Sequence, residues 1–301
     1  MHRFFLSALA GCLLFSLQAT AQDASQLLKD AWNEYHFLEL ELATDYFERA
    51  LEQSADPAQQ HEAQLGLAMV QQFDKNSPDP EKAAPLYEAL LAADLEDRLV
   101  PLVKSLLAEC YADMGDLEKA NVLWDEVITG YPDLIVAQDA LLERTHANMT
   151  DFESEETYAA VQYLDEKRKL FPVPTKERPG LAPAFEQLRG EVFFWRDEFE
   201  ASRQAYINYL EAGSKETTSY SQRASAIMRV ARISEVKLDD KETAGRYYRM
   251  LVEETPNDVR SFFALERAVA FGALTIEEVK NLNIYAIDDE VVMKLQERME
   301  N

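Results

Sequence analysis

Residues 101–134 read PLVKSLLAECYADMGDLEKANVLWDEVITGYPDL, and their spacing decides the fold. Small Ala108 and Ala120 stand twelve residues apart on either side of Gly115-Asp116. Ala120, Trp124 and Val127 follow in steps of four and three, which keeps all three on one helical face. Gly130-Tyr131-Pro132 then stops the helix, since proline cannot continue it. The stretch predicts two helices, Leu102–Met114 and Leu117–Thr129, folded back on each other. The alanines let the backbones approach, and the tryptophan fills the space beside them.

The same small–large–contact pattern recurs outward in both directions. Before it stand Ala43-Phe47-Ala50 and Ala83-Tyr87-Leu90. After it stand Ala160-Leu164-Lys167, Ser202-Tyr206-Tyr209 and Ala244-Tyr248-Leu251. Pro132, Pro172 and Pro256 close three of the six units. The twelve-residue step returns as Ala31 to Ala43 and as Gly190 to Ser202, whereas Ala231 to Ala244 carries one extra residue. The repeat predicts an all-α array of antiparallel helix pairs. Further boundaries are marked by Asp79-Pro80, a cap followed by a first-turn proline. Thr275-Ile276-Glu277-Glu278 has the form of a capping box that opens a short helix.

In its spacings and residue types the 101–134 stretch resembles the tetratricopeptide repeat (TPR) family, whose unit is a 34-residue helix pair. The resemblance extends over about residues 24–258, and more weakly outside the third unit. Successive alanine positions lie 40, 37, 40, 42 and 42 residues apart, so the units are stretched and degenerate. The resemblance implies a right-handed superhelical solenoid of about six repeats with C-terminal capping helices. Phe171 to Gly180, with three prolines, reads either as a linker or as a long inter-repeat loop. The expected organisation is a leader over 1–21, arrays over 22–172 and 181–301, and the 173–180 stretch between them.

The leader begins with His2 and Arg3, continues as an apolar run from Phe4 to Leu17, and ends in Ala19-Thr20-Ala21. That is the form of an export signal cleaved after Ala21, which implies a periplasmic or secreted protein. A second reading is open: Leu9-Ala10-Gly11-Cys12 resembles a lipobox, in which Cys12 would be lipidated. The apolar run continues past Cys12, which favours the soluble product. Beyond the leader Cys110 stands alone, so no intrachain disulfide can form there, and its apolar neighbours mark it as a buried thiol.

The net charge of −25 sets the chain against phosphate polyanions and anionic lipid. No two of its nine glycines lie within nine residues of each other, which excludes phosphate-cradling and dinucleotide loops. The histidines His36, His61 and His146 stand apart, without metal-ligand spacing. Acid runs such as Glu153 to Glu156 lack a calcium-loop pattern and read as helix starts. The expectation is therefore no catalytic, metal or cofactor-binding residues, and a protein or peptide partner instead.

The resemblance implies that first helices line the binding face. Mapped onto this chain, that face offers Trp32, Tyr35, His36, Glu109, His146, Gln187, Glu191, Phe194, Trp195 and Arg229. Aromatics there would serve as anchors, although Trp32 and Trp195 are as readily read as packing between repeats. Three functional readings follow. The first is a non-catalytic adaptor of the bacterial envelope. The second is a periplasmic enzyme or ligand-binding domain with an acidic pocket. The third is an outer-membrane-tethered lipoprotein in an assembly complex.

Overall fold

A computed structural model describes residues 23–74, 76–175, 179–213 and 219–282. The leader, Cys12 and residues 283–301, where further C-terminal capping helix is expected, lie outside them. The described residues form fourteen α-helices and no strand. In chain order these are α1 (Ala24–His36), α2 (Leu40–Gln53), α3 (Pro57–Phe73), α4 (Pro80–Ala92), α5 (Val100–Asp113) and α6 (Leu117–Gly130). They continue as α7 (Ile135–Ala147), α8 (Glu155–Lys167), α9 (Ala182–Trp195), α10 (Phe199–Ala212) and α11 (Tyr220–Arg232). The last are α12 (Lys241–Glu254), α13 (Val259–Ala270) and α14 (Ile276–Lys280).

The boundaries follow the local signals. Asp79 caps α4 by accepting from the Lys82 amide, with Pro80 in the first turn. Ser154 caps α8 through the Thr157 amide, so the acid run there is indeed a helix start. Thr275 and Glu278 form the reciprocal capping box at α14.

The chain divides into two units, Met1–Val127 and Ile128–Asn301. Within the first, α1 packs on α2, α2 on α3, α3 on α4 and α4 on α5. Within the second, the same succession runs from α7 through α13, with α11 also touching α13. Consecutive helices therefore pair and stack, and the described parts of the proline-rich stretch, 171–175 and 179–180, fall in the second unit.

Every small residue of the repeat is buried: Ala43, Ala83, Ala120, Ala160, Ser202 and Ala244. So is every large one: Phe47, Tyr87, Trp124, Leu164, Tyr206 and Tyr248. The third position is buried in five units. The exception is Lys167, whose side chain stays partly exposed and pairs with Glu166. The twelve-residue contact is direct at Ser202, whose Oγ donates to the Gly190 carbonyl at 2.7 Å. A Cβ added at Gly66 would lie 2.3 Å from the Phe47 ring, so the absence of a side chain on α3 lets the aromatic of α2 lie flat on its backbone.

The turns inside the pairs share one geometry. Leu38, Gly115, Asp197, Asp239 and Gly272 all have positive φ. In four of them the next residue's amide reaches the carbonyl five positions back, as in Glu39 to Glu34 and Asp116 to Tyr111. That is the hydrogen bond of a Schellman stop, which needs a left-handed residue. The α11–α12 turn differs by one residue. There the Asp240 amide bonds to Ser234, six positions back, and a π turn spans Ile233–Lys237. The extra residue between Ala231 and Ala244 is thus absorbed as a π-bulge, a feature frequent at functional sites.

Candidate binding groove of the second unit

The first helices of three successive pairs, α9, α11 and α13, line a groove in the second unit. Its larger cavity, about 540 Å³, is bordered by Phe194, Met228, Arg229, Arg232, Ile233 and Val236, with Ser225, Lys237 and Arg260 completing the wall. A smaller cavity of about 250 Å³ adjoins it through Ser225 and Arg229, and is lined by Gln187, Glu191, Tyr206 and Tyr209 among others. The π turn is what builds the floor. It places Ile233, Val236 and Lys237 in the cavity lining, which Glu235 does not join. Glu235 instead accepts from Tyr248 and pairs with Arg267.

Four cations border the larger cavity, in different states. Arg260 is held by a bidentate contact with Asp258, at 2.6 and 2.7 Å, and also donates to Ser225. Arg232 lies 3.5 Å from Glu235 and over the Phe263 ring. Arg229 and Lys237 have no carboxylate partner among the described residues. Each rests on the Phe194 ring instead, at 5.6 and 5.7 Å from its centroid, and Lys237 also lies 4.4 Å from that of Phe199. Cation–π contact of this kind leaves the charge available for an anion. Burial pushes the Tyr206 hydroxyl up to about 12, against the pull of Arg229 and with the help of Glu191. It is therefore a neutral hydrogen-bonding group at ordinary pH.

The structure brings Gln187, Glu191, Phe194 and Arg229 together here. The remaining sequence candidates lie elsewhere. Trp32 is half-buried between pairs: its ring meets Phe47 edge-on at 5.0 Å and its Nε1 donates to Glu62 at 2.8 Å. Tyr35 packs edge-on against Trp32, and His36 is exposed at the end of α1 beside Tyr35. Glu109 accepts from Gln72 at 3.1 Å, within a network in which Tyr87 donates to the same glutamine. His146 is exposed in the last turn of α7, while its neighbour Thr145 is buried. Trp195 is 53% exposed and stacked on Phe152, facing away from the cavity wall that Phe194 forms.

Arg232, Lys237 and Arg260 escaped sequence reasoning. The available signal was local: between 223 and 237 lie Arg223, Arg229, Arg232 and Lys237 against one glutamate, in a strongly acidic chain. No contiguous basic block exists, because the fold assembles the patch from α11, the π turn and α13.

Elsewhere, Cys110 is buried, and burial together with Glu109 and Asp113 pushes its thiol up to about 12, as expected of a structural cysteine. Among the described residues no helix is long and apolar enough to cross a membrane.

No protein-family profile matches the chain, and no curated protein matches it in sequence. Solved structures do. PilF of Pseudomonas aeruginosa is 19% identical, with 79% of this chain and 94% of that one covered, at a TM-score of 0.49. A tetratricopeptide repeat protein from Parabacteroides merdae is 12% identical, with 93% and 100% covered, at 0.48. The TPR2AB domain of yeast Sti1, in its pHSP90 complex, is 14% identical, with 92% of each chain covered, at 0.35. These likenesses are distant, and the repeat is established by the chain's own buried small–large pairs and recurring turns. On that ground the chain is an all-α helical-repeat protein whose helix pairs resemble tetratricopeptide units.

Proposed function

We propose that the protein is a non-catalytic adaptor that holds a segment of a partner protein in the groove of its second unit. The observation that carries this reading is the groove itself. The first helices α9 and α11 and the π turn after α11 present Phe194, Met228 and Val236 over buried Ile233, edged by cations. An apolar floor with a polar rim is the composition of a peptide-binding surface. The alternative of an acidic pocket performing chemistry gains no support from this cavity, whose charged lining is basic. The leader supports an exported, envelope location, with cleavage after Ala21 preferred to lipidation of Cys12.

The reading is tested by placing a photo-crosslinking residue at Arg229 or at Gln204, which is exposed on second helix α10. Irradiation in cells that express the protein is expected to give a discrete adduct from position 229 and none from 204. Equal adducts from both positions, or adducts from 204 alone, would contradict it.

A further inference from the structure

We infer that the groove selects an acidic segment in which a large apolar side chain is flanked by carboxylates; this rests on the groove being the partner surface. The argument is one of unmet charge. In a chain of net charge −25, acids outnumber Lys and Arg by 55 to 30, so an uncommitted cation is unusual. Arg229 and Lys237 nevertheless stay without a carboxylate among the described residues and bracket one ring, Phe194. Two acids lie in the same part of the fold. Glu191 borders the adjoining cavity, and Glu235 sits in the same π turn as Lys237. Each is directed elsewhere. Gln187 donates to Glu191, and Glu235 is committed to Tyr248, Arg267 and Arg232. Asp258 is likewise taken up by Arg260.

The cavity that these two cations border is otherwise largely apolar. Val236 is 56% exposed and Met228 half-buried, with Ile233 beneath. An apolar side chain entering here would cover Met228 and Val236. Carboxylates before and after it would meet Arg229 at the end nearer α9's Glu191 and Lys237 at the end nearer Phe199. Because two separate cations border the cavity, a segment with two carboxylates satisfies both where a single terminal carboxylate would satisfy one. The field of the acidic chain opposes any anion at long range, and a nucleic acid with one charge per nucleotide is opposed far more than a segment carrying two carboxylates and an apolar side chain. Charge pairing at an exposed rim of this kind sets selectivity and encounter rate as much as affinity.

The test uses the full chain and three fluorescent twelve-residue peptides with amidated C-termini, read by polarisation. One has a central phenylalanine flanked by aspartate and glutamate. The second replaces the acids by asparagine and glutamine, and the third replaces phenylalanine by serine. The expected result is binding of the acidic phenylalanine peptide at least about tenfold tighter than either control. The preference should shrink as salt rises from about 0.05 to 0.3 M, because exposed pairs are screened. Arg229→Gln and Lys237→Gln should each weaken that peptide by about two- to fivefold. Both side chains are exposed, so neither change threatens the fold, and Lys119→Gln in the first unit should have no effect. Equal binding of acidic and amide peptides would overturn the inference. So would binding of none of them alongside a position-229 crosslink, which leaves the adaptor reading standing. A position-229 crosslink that maps to residues 283–301 of the same chain would overturn it as well, since the occupant would then be internal.

Discussion

Phe47→Ala is expected to destabilise the first unit by about 3–5 kcal/mol, as for other buried phenylalanine truncations. The side chain is fully buried on α2, meets Trp32 edge-on, and lies against the bare backbone of Gly66 on α3. It therefore joins one helix pair to the next, and its removal leaves a cavity at that junction. Gly66→Ala tests the same contact from the other side. The added methyl would stand 2.3 Å from ring carbons, so the ring or the helix must move, at a cost of about 1–3 kcal/mol. In the Phe47→Ala background the same methyl enters the vacated space. The two changes together are then expected to cost less than their sum by at least about 1 kcal/mol, measured by chemical denaturation. Strict additivity would show that the two residues do not share a contact.

Tyr248→Ala is the corresponding prediction for the second unit, again about 3–5 kcal/mol. Tyr248 is fully buried and meets two rings of the following pair, Phe263 at 5.8 Å and Phe271 at 6.3 Å. It differs from Phe47 in having a hydroxyl that donates to Glu235. Burial and that carboxylate raise its pKa, so the group is a neutral donor throughout the stable pH range. Tyr248→Phe removes only the hydrogen bond and is expected to cost about 1.5 kcal/mol, the usual worth of a bond to a charged group. Glu235 keeps Arg267 and Arg232 as partners, so it is not stranded. The phenylalanine variant separates packing from polar contact: a loss near that of alanine would place the stability in the Glu235 network. Since Glu235 shares the π turn with Val236 and Lys237, that variant is also a probe of how firmly the groove floor is held.

Much of this architecture was legible in the sequence because the repeat is written in side-chain volume. A small residue and a large one at fixed helical spacing have one good solution, the close helix pair, and all six such pairs are buried. Ala160-Leu164-Lys167 marks the limit. Its third position is a lysine, and the face it lies on is partly open rather than packed. The turn inside the third pair was legible at Gly115. The turn at Leu38 was not: this is an exposed apolar side chain in a left-handed conformation that sequence gives no reason to expect.

The groove was half legible, for a physical reason. The family resemblance implies which positions of a first helix face the binding side, one helix at a time, and so offered Gln187, Glu191 and Phe194 on α9 and Arg229 on α11. It does not say which side chains of different helices converge. The extra residue between Ala231 and Ala244 was visible as a count, but its consequence, a π turn that carries Val236 and Lys237 into the wall, required the backbone. Conversely, Trp32 and Glu109 share their helical faces with the expected binding surface, yet each is satisfied by a neighbouring helix, through Glu62 and Gln72. A polar tip on a first helix is a binding candidate only until its partner is found.

The central claim is that partners are held by the first helices of the second unit. Amide hydrogen exchange tests it most directly, comparing the full chain alone with the chain bound to the partner recovered through the position-229 crosslink. Binding is expected to slow exchange across 182–195 and 220–237 and to leave 199–212 and 241–254 unchanged. Slowed exchange on the two second helices, with the first helices and the π turn unaffected, would contradict it.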